Sequence, residues 1–143
     1  MSYSKYGKYI VTELKDPFPA EYAARYAAWA TRILWLDDKV VEGANQMNCS
    51  WYMRPPGITF TDAHTHDADE IIGFFGSNPD DPENLNAEVE IWIEDDMHLI
   101  TKSAMLYMPA GLKHCPLILR RVDRPIFHFT VVTGKKYIKN DMK

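Results

Sequence analysis

From residue 46 onward the chain is a succession of short runs in which β-branched and aromatic residues dominate, each closed by Gly, Pro, Asn or Asp. They cover 46–54, 57–66, 70–76, 87–95, 97–101, 104–109, 113–119 and 125–132, and the texture predicts about eight strands. The separators "RPPG", "SNPDDPENLN", "EDD", "PAG" and "RRVDRP" carry turn chemistry. Many short strands with hardly any helix between them argue for an antiparallel sandwich or barrel. The pattern before residue 46 differs. Pro17 and Pro19 open "PAEYAARYAAWATRIL", whose alanines and whose Tyr22, Tyr26, Trp29, Ile33 spacing predict one amphipathic helix packed on the core. The expected organisation is a single domain, 1–143: an amino-terminal extension to about 45, an all-β core over about 46–133, and a polar tail, 134–143, that frays.

Composition narrows this. At 143 residues, with 46% hydrophobic and 13% aromatic side chains, there is apolar material for one core. A net charge of −4 without a basic cluster gives no footprint for nucleic acid or an anionic membrane. No apolar run is long enough to span a bilayer, and the polar start "MSYSKYGKYIVTELKD" is not a secretory segment, so a cytoplasmic protein with a small-molecule partner is expected. Cys49 and Cys115 have neither disulfide-framework nor zinc-knuckle spacing and read as small buried hydrophobes.

One stretch stands apart. "AHTHDADE", 63–70, collects two of the five histidines together with two aspartates and a glutamate. On a strand, His64 and His66 point to the same side, where their imidazoles can converge on one ion; on a helix they would lie about 200° apart. A capping box at Asp67–Glu70 would open a helix "EIIGFF", but Gly73, Gly76 and the run of Ile and Phe make a poor helix, and the strand is retained. Glu70 shares the parity of the two histidines, and a tight turn around Ala68 would return it opposite them. A mononuclear site needs at least one more ligand from elsewhere in the barrel. Of His98, His114 and His128, His114 stands out because "MPAGLKHCP" places it just after a Pro-x-Gly turn.

These residues resemble the cupins. Gly57, His64, His66, Glu70 and Gly76 follow the order of that family's first motif, and Pro109, Gly111 and His114 that of its second. Residues 77–102 take the place of the variable stretch between motifs, and the resemblance spans about 46–133. The chain departs from the pattern at Ser103, where a Gly is usual, at Ile118, often Asn, and by one residue in two spacers; none of these is a ligand. The resemblance implies a small antiparallel double-stranded β-helix, the jelly-roll barrel of that family. It also implies His64, His66, Glu70 and His114 as ligands of one divalent transition metal per chain, Fe, Mn, Zn, Ni or Co.

Three imidazoles and one carboxylate leave two cis positions of an octahedron open for water or substrate, as a catalyst requires. His128 has the parity to line the same cavity as an acid or base, but is read first as a hydrogen-bonded core histidine. His98 is read as solvated. Arg54, Lys113, Arg120, Arg121 and Arg124 are candidates to anchor a substrate carboxylate. Tyr52, Trp92, Tyr107 and Met108 are candidate pocket wall. Two functions remain open: a metal-dependent enzyme acting on a small oxygenated molecule by oxygenation, decarboxylation or isomerisation, and a non-catalytic module that binds or senses a metabolite. A homodimer is expected, by the resemblance and because the aromatic segment 18–36 offers more apolar surface than one barrel covers.

Overall fold

Alternation of large apolar side chains with polar ones sets two sheets, and every run read as a strand forms one. The computed structural model describes residues 4–55 and 61–134 and the backbone of 139–141. Gly57, and with it the start of the run at 57–66, lies outside the described residues. The elements are α1 (Ala20–Ala27), β1 (Ala30–Leu36), β2 (Gln46–Tyr52), β3 (His64–His66), β4 (Glu70–Gly76), β5 (Asn84–Ile93), β6 (Asp96–Lys102), β7 (Ala104–Met108), β8 (His114–Val122), β9 (Ile126–Val132) and β10 (Lys139–Asp141). One five-stranded sheet has the order β1-β2-β9-β4-β7, the other β10-β3-β8-β5-β6. All their pairings are antiparallel. Among the described residues no helix is long and apolar enough to cross a membrane.

Two expectations are corrected. The helix predicted through residue 34 ends at Ala27, and Ala30–Leu36 is a strand paired with β2. Thr31, Ile33 and Trp35 suit a pleated surface. The backbone N–H groups of Met53 and Arg54 already donate to the carbonyl of Trp29, so the chain has joined the sheet there. Tyr26 and Trp29 are buried in the core, and Phe18 stacks on Tyr22 and meets Trp35 edge-on. Much of the aromatic surface of segment 18–36 therefore packs on the chain's own barrel. The second correction concerns the tail: Lys139–Asp141 does not fray but pairs with His66–His64.

The bulge in β1 positions the later argument. Arg32 pairs with Ser50, Leu34 with Cys49 and Trp35 with Asn48, with a register shift between Arg32 and Leu34. The extra residue lets Arg32 and Trp35, three apart, both face the barrel interior, as their partners Ser50 and Asn48 do. The interior is graded. Phe74, Leu85, Val89, Ile91 and Ile126 fill one end with no exposed surface. Along β2, β4 and β9 the inward positions then pass from Tyr52, Phe74 and Ile126 to Gln46, Glu70 and Thr130. The polar end is where chemistry can sit.

Candidate metal centre

The extended backbone of β3 turns His64 and His66 inward and Thr65 outward, giving the burial pattern buried, intermediate, buried. His114 opens β8 and is the ladder partner of His64. The turn before it is held by the Leu112 N–H to the Pro109 carbonyl, and Gly111, at φ 84, takes the left-handed conformation and donates its N–H to the carbonyl of His66. The second motif is thus bonded directly to the first.

Glu70 arrives differently from the sequence reading. β3 and β4 form no hairpin; β4 belongs to the opposite sheet, and Glu70 reaches its neighbours across the barrel interior. The crossing at 67–69 is fixed to that sheet through Asp69, whose carbonyl accepts the Thr133 N–H and whose carboxylate accepts the Ala110 N–H. That bond from Ala110, with one from Tyr107, holds the Asp69 carboxyl below the usual range.

The four side chains predicted as ligands meet. Ring centroids lie 4.9 Å apart for His64 and His66, 4.5 Å for His64 and His114, and 5.4 Å for His66 and His114. Glu70 Oε1 is 2.8 Å from His114 Nε2 and 3.3 Å from His66 Nε2. One ligand atom from each residue lies within 4.8 Å of all the others, and all four residues are buried, close to the spread of donors around a single ion at about 2.0–2.2 Å.

Orientation supports the same fit. Nδ1 of His64 lies 2.7 Å from the carbonyl of Asp62, and Nδ1 of His114 lies 2.9 Å from that of Leu112. A carbonyl only accepts, so each Nδ1 carries the hydrogen, and in the neutral ring Nε2 presents a lone pair to the centre. His114 Nε2 and Glu70 Oε1 are buried without a hydrogen bond despite their proximity. Two electron-rich atoms facing each other across 2.8 Å are the arrangement a cation relieves. Burial pushes the Glu70 carboxyl up, but without a metal a proton held toward it by the His114 and His66 imidazoles outweighs this and lowers it to about 2, the role a bound cation would take over. The group is a carboxylate at any physiological pH.

His128 stands outside this cluster. It is buried deeper in the barrel, stacked between Tyr52 (4.4 Å) and Phe74 (5.1 Å), with Nδ1 donating to the Gly73 carbonyl at 3.0 Å. Burial pushes its ring down to about 4, so it is neutral near pH 7. It lines the cavity of about 170 Å³ that His64, Glu70 and His114 also line. Gln46, Asn48 and Thr130 add polar groups to that wall, and Arg32 adds a cation.

The expected substrate anchors are elsewhere. Arg54 donates to the Ala28 carbonyl, Arg120 pairs with Glu90, and Arg121 pairs with Glu88 and Asp123. Lys113 and Arg124 do not line the cavity. Of the candidate wall residues, Tyr52 lines it and Met108 is buried in the core; Trp92 donates to Glu90, and Tyr107 is exposed on the outer surface. His98 is exposed, as read. Cys49 and Cys115 are not joined in a disulfide. Sequence reasoning missed Arg32 because it lay inside the predicted helix; the run of β-branched and aromatic residues in "TRILWL" was the available signal.

No protein-family model matches the chain, and no curated protein matches it. Solved structures do. A sugar phosphate isomerase of the cupin superfamily from Silicibacter pomeroyi is 14% identical, with 85% of this chain and 69% of that one covered at a TM-score of 0.51. A cupin protein from Bacteroides fragilis is 14% identical over 92% of this chain and 86% of its own, at 0.48. The DMSP lyase from Ruegeria pomeroyi is 16% identical over 90% and 58%, at 0.44. The first likeness shows that this chain has the cupin fold; at such identity it carries no chemistry with it.

Proposed function

We propose that this chain, a cupin by fold, is a metal-dependent enzyme. It would hold one divalent transition-metal ion on His64, His66, Glu70 and His114 and act on a small oxygenated organic molecule. The observation that carries the reading is the convergence of those four ligand atoms within 4.8 Å at the buried polar end of the barrel. When bound, such an ion supplies Lewis acidity toward a substrate oxygen, or redox chemistry if it is iron.

The protein's own residues set the rest. His64 and His114 are held in one tautomer by backbone carbonyls, so their lone pairs need no reorganisation. Glu70 contributes the charge that tightens ligation and leaves positions on the cavity side free for substrate. His128 is neutral, and its Nδ1–H is committed to Gly73, so Nε2 is the atom that would accept a hydrogen bond from a substrate hydroxyl in the cavity. Gln46 and Thr130, joined at 3.3 Å, and Asn48 offer hydrogen bonds to substrate oxygens. Phe18, Tyr22 and Tyr26 wall the cavity and limit water. The similar isomerase from Silicibacter pomeroyi is named for an oxygen-rich small substrate, an instance of this fold serving such chemistry.

The test is elemental analysis of purified chain incubated with Fe, Mn, Ni, Co or Zn. One equivalent is expected, lost in the His64→Ala/His66→Ala variant while its circular dichroism keeps the strand signal. No uptake of any of these metals, or full occupancy in the double variant, would overturn the assignment.

A further inference from the structure

Arg32 is a cation that the metal centre does not use, placed on the wall of the same cavity. The β1 bulge turns it inward, and its side chain is only 5% exposed. Its guanidinium carbon lies 4.3 Å from the ring centre of Tyr26, 5.0 Å from that of Phe18 and 5.7 Å from that of Trp35. Those rings cover the flat face of the group, so its edge is what it can offer a ligand. Of its five N–H donors, the hydrogen bond among the described residues is from Nη1 to Asn48 Oδ1, and Nε is buried without one. Asp16 is the nearest counter-charge, but its carboxylate is 3.5 Å from Nε, beyond a good hydrogen bond, and 26% exposed to solvent.

Burying a guanidinium with so loose a partner is unfavourable. An anion entering the cavity would complete its pairing. The charges also favour one: with Glu70 and Asp16 set against Arg32 and a divalent cation, the loaded cavity remains net positive. Its volume of about 170 Å³ is below the roughly 300–1,000 Å³ of pockets for drug-sized ligands. We propose that Arg32 anchors a carboxylate of the substrate, so that the substrate class is a small organic acid gripped at one end by the guanidinium edge while a second oxygen function faces the metal centre. This rests on the metal reading above for the second contact and on Arg32 alone for the first.

The test compares succinate with its monoamide, succinamate, by calorimetric titration of manganese-loaded and metal-free protein, after measuring manganese stoichiometry. A charge-assisted bidentate bond predicts that wild type prefers succinate by about tenfold. Arg32→Met should lose the preference while keeping one equivalent of manganese, and Arg32→Lys should retain part of it. Asp16→Asn, at a partly exposed position, should strengthen it by removing the competing carboxylate. A preference undiminished in folded Arg32→Met, or no succinate binding by wild type, overturns the proposal. If Arg32→Met does not fold, Asp16→Asn decides, an unchanged preference being the adverse result. Failure to take up manganese would instead sink the metal reading, and the metal-free titrations would still report on Arg32.

Discussion

Two of the imidazoles at the centre are aimed by a carbonyl two residues earlier in the chain, Asp62 for His64 and Leu112 for His114. The four clustered residues were named from the sequence through the resemblance to the cupins, and this local device accounts for the direction of His64 and His114. Glu70 was not legible in this way: the parity reading assumed a hairpin, whereas β4 lies in the opposite sheet and Glu70 reaches its neighbours across the barrel. Glu70→Gln keeps shape and burial but removes the charge, and metal affinity should fall by more than the roughly 10- to 100-fold that loss of an outer partner costs, measured by competition with a chelating dye. His128 makes a pH prediction. Its ring is neutral when folded and held down at about 4, whereas in the unfolded chain it protonates near 6.5. The stability it permits is therefore present above pH 6.5 and is lost as pH falls toward 4, by about 3 kcal/mol over that window. Urea unfolding across pH 4–7.5 should show this slope in wild type and a shallower one in His128→Gln; parallel curves would refute the assignment.

Among the elements, the strands of the core were legible and β1 was not, for a physical reason. Alanines at 20, 23, 24, 27 and 28 and aromatics at 22, 26 and 29 carry a helical rhythm up to the point where the strand begins. The bulge then breaks the alternation that would have announced a strand, because Arg32 and Trp35 face inward three residues apart. Arg32 was hidden by the same irregularity that gives it its place. Another element-scale constraint is at the end of β4, where a Cβ on Gly76 would lie 2.0 Å from the backbone carbonyl oxygen of Asn84 at the start of β5. Backbone has no rotamer with which to yield, so Gly76→Ala should destabilise the chain by about 3 kcal/mol, the upper end of ordinary overpacking. Thermal unfolding would measure it, and a loss under about 1 kcal/mol would mean that β5 shifts freely there.

At the scale of the whole molecule, the separation of a dry apolar end from a polar end divides the work of stability from that of chemistry. Phe74, Leu85, Val89, Ile91 and Ile126 are buried with no exposed surface, so the barrel has an apolar core of its own and would not depend on an ion as a minimal zinc module does. The ladder bond partners His64 and His114 are distant in sequence, and Glu70 comes from the facing sheet. The segment 64–70 carries three of the four candidate ligands and His114 lies far along the chain, so a site of all four would be complete only after that long loop has closed. Refolding rates should accordingly be independent of added manganese while unfolding slows with it, and a refolding limb that accelerates with the ion would show the order of events to be reversed.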